Sequence, residues 1–582
     1  MTLTAPVARC RWSLLPETPH ERDRLASALS LHPITAQLLV NRGVTEIDHG
    51  SRVLQPTLAE LPDPSRLPDF GAAIEALDRA LEQGHPILVH GDYDVDGMCG
   101  SVLLKRLIEL LGGKVGVFLP DRVRDGYSFG PRSLEAVRDS GSRLVIAVDN
   151  GTTALEPLRA MADAGVEVLV VDHHLAGAEL PPCTALLNPW VAQDQDDPIF
   201  PHFSGTGVAY LLAWGYLRHR HGDGSLPEHH RRFLYDALGF VAIATIADAM
   251  RLEGPNRGLV RRGLETLPNS SFAGLRALCE MLNLKQPTAT DVGFRIGPHL
   301  NAAGRMGCTE IAFDLLAAHD PQEARKLAER LRDLNRERQD LQRREADALL
   351  PQIEAQRERG DRVLFAGRDA AAFGVLGVVA ARFHEETGLP TLLWGGCDGG
   401  VARGSARGPA SVHLVELMDR VAPHLAGHGG HAQAAGFHFD PTEADRLAAA
   451  LREAAQDLPE PQPPSLRVDL EVQPQDLDLA VLDELNLLEP FGQAFELPRF
   501  LATDMQLVAP PQFLGAEARH LALRLGKHGQ VVRTLAWNQA DRLGHLPAGQ
   551  SVDVVFEPSI NTFRGRRSVE WILRDLRPAS SS

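Results

Sequence analysis

Apolar positions along the chain follow two alternating periods. Short apolar, β-branched-rich runs recur between Ile74 and Pro189: PILVH at Pro86–His90, KVGVFL at Lys114–Leu119, LVIAV at Leu144–Val148 and VEVLVV at Val166–Val171. Between them the spacing is helical, over Met98–Leu111 (which stops at Gly112–Gly113), over Pro131–Asp139 and over a segment ending near Gly165. Continuous apolar strands separated by helices predict a parallel sheet covered on both faces. Ser204–His221 and Arg231–Ala249 predict two more helices, the second strongly apolar. From Pro321 to Gly360 the pattern becomes charge-laced, with 10 basic and 9 acidic residues, and predicts one or two long solvated helices acting as a spacer. A second strand–helix region follows, with strands at Val363–Ala366 and Thr391–Trp394 around a helix near Gly374–Glu386. After the extended linker PEPQPP (Pro459–Pro464), five short strands are expected at Leu501–Val508, His520–Leu525, Val531–Trp537, Val552–Phe556 and Val569–Leu573. That density fits a small β-barrel of the OB type.

With 582 residues the chain exceeds what one hydrophobic core organises, and 44% hydrophobic content excludes a mainly disordered chain. The expected division is an N-terminal segment over 1–55, an α/β domain over 56–270, a helical connector over 271–360, a second α/β domain over 361–458, a linker over 459–464 and the barrel over 465–578. No apolar run is long enough to span a bilayer, and Met1–Trp12 lacks the shape of a secretory signal. Six cysteines without CxxC spacing argue against a disulfide framework or a zinc ribbon. A cytoplasmic protein with no membrane contact is expected. The net charge of −17 looks wrong for a nucleic-acid binder, but it is unevenly spread: Pro441–Phe500 carries 13 acidic and 4 basic residues, Leu501–Arg577 10 basic and 7 acidic. Total charge therefore excludes no partner.

Three predicted strands of the first domain run into metal-ligand chemistry. The first leads into His90-Gly-Asp92-Tyr-Asp94-Val-Asp96-Gly97, the third into Asp149-Asn150-Gly151 and the fourth into Asp172-His173-His174. In an open α/β sheet ligands bind outside the carboxyl ends of the strands, so three segments deliver carboxylates and imidazoles to one rim. Crowded carboxylates cannot all ionise without cations, and oxygen donors with a few imidazoles suit Mn²⁺ or Mg²⁺. Two such ions clamp an in-line phosphoryl displacement, so the expected reaction is hydrolysis of a phosphoester or phosphoanhydride. An EF-hand reading of Asp92-x-Asp94-x-Asp96-Gly97 fails, because its twelfth position is Leu103 rather than Glu.

HGDYDVDG, VDNG and VDHH resemble the successive motifs of the DHH phosphoesterase superfamily, and Ile246-Ala247-Asp248 resembles its fourth. GPHLNAAGR (Gly297–Arg305), RGSARG (Arg403–Gly408), GHGGHAQAAG (Gly427–Gly436) and PFGQAF (Pro490–Phe495) resemble signatures of the RecJ family within it. The resemblance covers roughly Pro56 to Arg577. It implies a DHH domain, a long connecting helix, a DHH-associated domain and a terminal OB-type barrel, together forming a 5′→3′ exonuclease on single-stranded DNA in repair and recombination. It implies Asp94, Asp96, Asp149, His173 and Asp248 as ligands of two Mn²⁺ or Mg²⁺ ions, with His90 as a further ligand. His174 would act on the scissile phosphate or leaving oxygen, and Asp92 would orient a ligand or water. Phosphate contacts would come from Arg122 or Arg124, from Arg305, from Ser405 and Arg407 in a glycine-rich turn, and from a second turn at Gly429, Gly430 and His431. The barrel, with Phe563, Arg566, Arg567 and Trp571, would track the strand by charge and stacking. The implied setting is a monomer working beside single-strand-binding protein and a helicase. Two other readings fit the same rim: a DHH hydrolase of short oligonucleotides or cyclic dinucleotides, and a DNA-binding scaffold without activity. Relatives of the family lead to an expectation of Arg where His299 stands, which would remove one phosphate contact.

Overall fold

The computed structural model describes residues 10–121, 124–125, 128–191, 202–222, 224–397, 400–460 and 464–579. The chain forms two compact units, Leu58–Gln462 and the pair Met1–Thr57 with Pro463–Ser582. The segment set off over 1–55 falls in the unit of the terminal barrel. Among the described residues no helix is long and apolar enough to cross a membrane.

In the larger unit the first sheet is parallel, with strands β1 Ile87–Gly91, β2 Val115–Phe118, β3 Leu144–Val148, β4 Glu167–Val171 and β5 Ala185–Leu187 in the order β2-β1-β3-β4-β5. Every residue of β1 and β3 is buried, which is why these runs show no polar alternation. The chain leaves β1 for the edge strand β2 and returns to the other side as β3. Strand order therefore reverses between β1 and β3, and the loops beyond their carboxyl ends open a crevice. Helix α1 (Val95–Leu110) follows β1 and is buried on nearly all sides against α2 (Gly205–His221) and α3 (Glu228–Ala247). A further helix, α4 (Gly297–Arg305), carries GPHLNAAGR.

The charged stretch forms one helix, α5 (Pro321–Glu358), but not a wholly solvated one. Ala324, Ala328, Leu331, Leu334, Leu349 and Ile353 lie on a buried side, because the helix packs on α4 at one end and under the second sheet at the other. That sheet comprises β6 Leu364–Gly367, β7 Thr391–Gly395, β8 Ala402–Arg407, β9 Gly427–Gly430 and β10 Ala434–Phe439, ordered β9-β10-β8-β7-β6, with helix α6 (Phe373–Thr387) between β6 and β7. One face buries Phe365, Trp394, Phe437 and Phe439, while Leu376, Val379 and Phe383 pack with Ile353 and Leu393 in a second cluster.

RGSARG is therefore a strand rather than a turn. Gly404 permits it, since a Cβ there would come 2.0 Å from the Phe437 ring. Gly429 and Gly430 likewise lie in a strand, β9, and the turn comes after them, where the His431 N–H donates to Ala434 O at 2.8 Å.

In the smaller unit β11 Phe500–Leu507, β12 Gln512–Leu514, β13 His520–Lys527, β14 Gln530–Ala536, β15 Ser551–Phe563 and β16 Arg566–Pro578 form one sheet with Leu470–Glu471. Pairing of β11 with both β15 and β13 closes the barrel expected from the strand pattern. Trp571 is fully buried and stacks on Phe556 at 3.7 Å, so it is core and not a surface platform. Phe563, at the β15–β16 tip, is 65% exposed. The N-terminal strand Arg11–Leu14 pairs in parallel with Ser465–Val468, and Trp12 Nε1 donates to Asp575 Oδ2 at 2.9 Å.

Candidate metal centre

The crevice at the carboxyl ends of β1, β3 and β4 is built by backbone constraint. Just past β1, Asp94 caps helix α1: its Oδ1 accepts the Asp96 and Gly97 N–H groups at 3.0 and 3.1 Å. Gly97 is required there, because a Cβ would lie 2.5 Å from Asp92 N. Asp96 faces the start of α2 and accepts the Gly205 and Thr206 N–H groups at 2.7 and 2.8 Å, so its charge rests on the positive end of that helix. Asp149, past β3, holds φ +61, a left-handed conformation that costs energy for any residue with a Cβ. Gly205 leaves it room; a Cβ at 205 would sit 2.8 Å from Asp149 Cβ. His173 and His174 follow β4, and Asp248 ends α3.

These residues meet. His173 Nε2 lies 3.0 Å from Asp149 Oδ1, 3.5 Å from Asp248 Oδ2 and 3.6 Å from Asp96 Oδ2. Among the described residues three sets offer ligand atoms all within 4.8 Å of one another: Asp149, His173 and His174; Asp96, His173 and Asp248; and Asp92, Asp94 and Asp149. Burial, and then the charge of Asp96, raises the Asp94 pKa. Burial followed by Asp96, Asp94, Asp248 and Asp92 raises Asp149 well above the carboxylate range, and burial with Asp96 and Asp94 pushes Asp248 up to about 8. Such a cluster keeps its charges only against cations. Asp149 Oδ1 is buried and accepts no hydrogen bond among the described residues, although His173 Nε2 is 3.0 Å away. The two atoms stand where one cation could take both. Cys99 lies beside them, but burial and the charges of Asp96 and Asp94 hold it as a thiol, so the donor set is oxygen and imidazole. The residues fit hard divalent ions.

His174 is set apart by its partner. Its Nδ1 lies 2.8 Å from Asp172 Oδ1, and burial lowers its pKa less than the hydrogen bond and charge of Asp172, with Asp248 and Asp96, raise it; the imidazole is pushed up to about 9. Asp172, buried but bonded to His174 and Thr152, lies well below the usual carboxylate range. Thr152 Oγ1 donates to Asp172 Oδ2 at 2.6 Å, and Asn188 Nδ2 donates to Thr152 Oγ1 and to His174 O, both at 2.8 Å. Sequence reasoning left Asp172 as a motif letter and missed Thr152 and Asn188. For Asp172 the signal was its place directly before two imidazoles; Asn188, beyond β5, offered none.

His90 joins none of the three sets. It is fully buried, stacked on Phe129 at 3.8 Å, with Nε2 2.9 Å from Ser133 Oγ, and burial lowers its pKa to about 4. The ring that the resemblance implied as a further ligand lies between Phe118, Phe129 and Ser133, and its Nδ1 is buried without a hydrogen bond among the described residues. Arg122 lies outside the described residues. Arg124 is exposed, 3.6 Å from Asp121, and lines a cavity of about 500 Å³ together with Arg305. Arg305 also borders a cleft of about 230 Å³ that begins at Ile246 and Ala247, beside Asp248. Its backbone meets α6 so closely that a Cβ at Gly374 would fall 2.0 Å from Arg305 O. Ser405 and Arg407 sit side by side on β8, with Arg407 Nη1 3.2 Å from Ser405 Oγ and the bare Gly377 of α6 in front of them.

Family models match three stretches: the DHH family N-terminal domain over 86–245, the DHHA1 domain over 360–457 and the RecJ OB domain over 468–575. The chain is 35% identical over 577 residues to the single-stranded-DNA-specific exonuclease RecJ of Thermus thermophilus, covering 98% of this chain and 79% of that protein. Identity to RecJ of Escherichia coli is 29%, over 94% of this chain and 96% of that one. The crystal structure of Thermus thermophilus RecJ in complex with Mn²⁺ matches with a TM-score of 0.82 at 34% identity, over 98% of this chain and 80% of that chain; its complex with Mg²⁺ matches at 0.77.

Proposed function

Since the chain belongs to the RecJ family of single-stranded-DNA-specific exonucleases, we propose that it hydrolyses phosphodiester bonds of single-stranded DNA from the 5′ end, using two Mn²⁺ or Mg²⁺ ions. The observation that carries this reading is the convergence of Asp94, Asp96, Asp149, His173 and Asp248 from four separate segments on one crevice. Those five side chains hold the ions, and Asp92, whose carboxylate stands beside Asp94 and Asp149, completes or orients that shell. Bound there, the ions supply Lewis-acid stabilisation of the phosphoryl oxygens and acidify the attacking water. His174, kept protonated by Asp172, donates to a phosphoryl oxygen or to the departing 3′ oxygen. Arg305, Ser405 and Arg407 hold phosphates, with the β9–β10 turn at Gly430 and His431 and the exposed Arg124 as further contacts. Terminal phosphate binding sets the direction of digestion. The same reading makes the chain a cytoplasmic monomer that meets strands opened by a helicase and coated by single-strand-binding protein.

Asp149→Ala is expected to abolish release of nucleotides from a 5′-labelled single strand while the chain stays folded and still binds DNA. Retained hydrolysis, or a preference for dinucleotides over long strands, would reject the reading.

A further inference from the structure

The cleft beside Asp248 holds a cation that the reading above leaves unused. Arg338, on α5, lines it with Ile246, Ala247, Asn301, Arg305 and Val378, and no carboxylate is among the described residues lining it. Its Nη2 donates to Asn335 Oδ1 at 2.6 Å and its Nη1 to Gln342 Oε1 at 2.9 Å, while Nε is buried without an acceptor among the described residues. Both acceptors are neutral and belong to Arg338's own helix, three residues before it and four after. Among the described residues the guanidinium therefore ties no two elements together. Elsewhere on α5, Arg325, Arg330 and Arg336 face Glu280, Glu337 and Asp333. A half-buried charge with no counter-charge among the described residues is unfavourably placed, and burial lowers the Arg338 pKa. An anion entering the cleft removes that penalty.

The orientation of Arg338 is held from α4. His299 Nδ1 lies 2.6 Å from Arg295 O, so the ring proton sits on Nδ1 and Nε2 is an acceptor. Asn335 Nδ2 stands 3.2 Å from that Nε2, which turns the amide so that its oxygen faces Arg338. Neutral His299 on α4 thus fixes Asn335, and through it the guanidinium that α5 presents to the cleft.

On these grounds, and resting on the nuclease reading, we propose that Arg338 binds a non-scissile phosphodiester of the single strand. The recognising chemistry is a planar guanidinium in a carboxylate-free cleft, suited to a phosphate oxygen pair.

The test uses the full-length chain and a fluorescent 5′-phosphorylated oligothymidine in EDTA, so that binding is read without cleavage. Each phosphate contact to a single strand contributes about 0.7 to the slope of log affinity against log salt. Arg338→Gln is expected to lose about that amount and to bind on the order of tenfold more weakly at moderate salt, whereas Arg338→Lys, which keeps the charge, retains the slope. Melting temperatures close to the unsubstituted chain's establish that both variants are folded; if Arg338→Gln does not fold, retention of the slope by Arg338→Lys and its loss in Arg338→Met decide the matter. A slope in the folded neutral variant equal to that of the unsubstituted chain overturns the assignment of Arg338 alone. Absence of salt-dependent binding by the unsubstituted chain overturns the nuclease reading instead.

Discussion

Two opposing pulls act on the imidazole of His174: burial favours its neutral form and Asp172 favours the cation, and Asp172 prevails. A group whose pKa is raised to about 9 is protonated across neutral pH and loses its proton as pH rises through that value. If His174 is the acid, activity falls on the alkaline side near pH 9. Asp172→Asn leaves burial unopposed by that charge, so the falling limb of the pH–rate profile moves to lower pH, by more than one unit. A limb unmoved by the substitution would assign the acid elsewhere. The neighbouring motif letters were readable because they stand directly after strands. Thr152 and Asn188 were not, because a residue that orients another through one hydrogen bond obeys no sequence spacing.

At the scale of elements, α5 does more than separate two domains. Gln356 exchanges two hydrogen bonds with the backbone of Phe365 (Nε2 to the carbonyl and the amide N–H to Oε1, each 2.9 Å), and Gln352 does the same with Gly367 at 3.1 and 3.2 Å. Two glutamines one helical turn apart thereby pair with the edge strand β6 as another strand would, satisfying groups that an edge leaves open. Gln356 is buried and Gln352 exposed. Gln356→Ala strands a buried donor and acceptor and is expected to lower the unfolding free energy by about 2–3 kcal/mol, whereas water replaces Gln352 and Gln352→Ala costs under about 1 kcal/mol. Equal losses in denaturant titrations would contradict this account. The helix itself was evident from the charge pattern. Its buried side was obscured by the alternating charges, since small residues such as Ala324 and Ala328 and widely spaced leucines make a weak apolar stripe.

At the scale of the molecule, the segment that holds Arg42 belongs to the same unit as the terminal barrel. Arg42 Nη1 donates to Asp469 Oδ1 at 3.1 Å, both side chains nearly inaccessible, and Nη2 reaches Glu496 O at 2.6 Å. Removing one member of a buried pair leaves the other charge unpaired, so Arg42→Ala is expected to destabilise this unit by about 3–5 kcal/mol. A drop under 1 kcal/mol in its unfolding transition would mean that water or another group takes Arg42's place. The crevice for the metals has the same long-range character within the larger unit. It exists because strand order reverses between β1 and β3, which brings Asp94 and Asp149 to one place although 54 residues separate them in sequence.

Period and punctuation along the chain were enough to determine the parallel sheet, the long helix, the barrel and the motif residues at three strand ends, since each depends on neighbours within a few residues. Distance decided the rest. RGSARG reads as a glycine-rich turn until the Phe437 ring is seen to need the space over Gly404; Arg338 reads as one of many helix charges until a cleft whose described lining holds no carboxylate surrounds it. Burial and counter-charge are properties of a neighbourhood, and a neighbourhood assembled from remote segments exists only once the chain has folded.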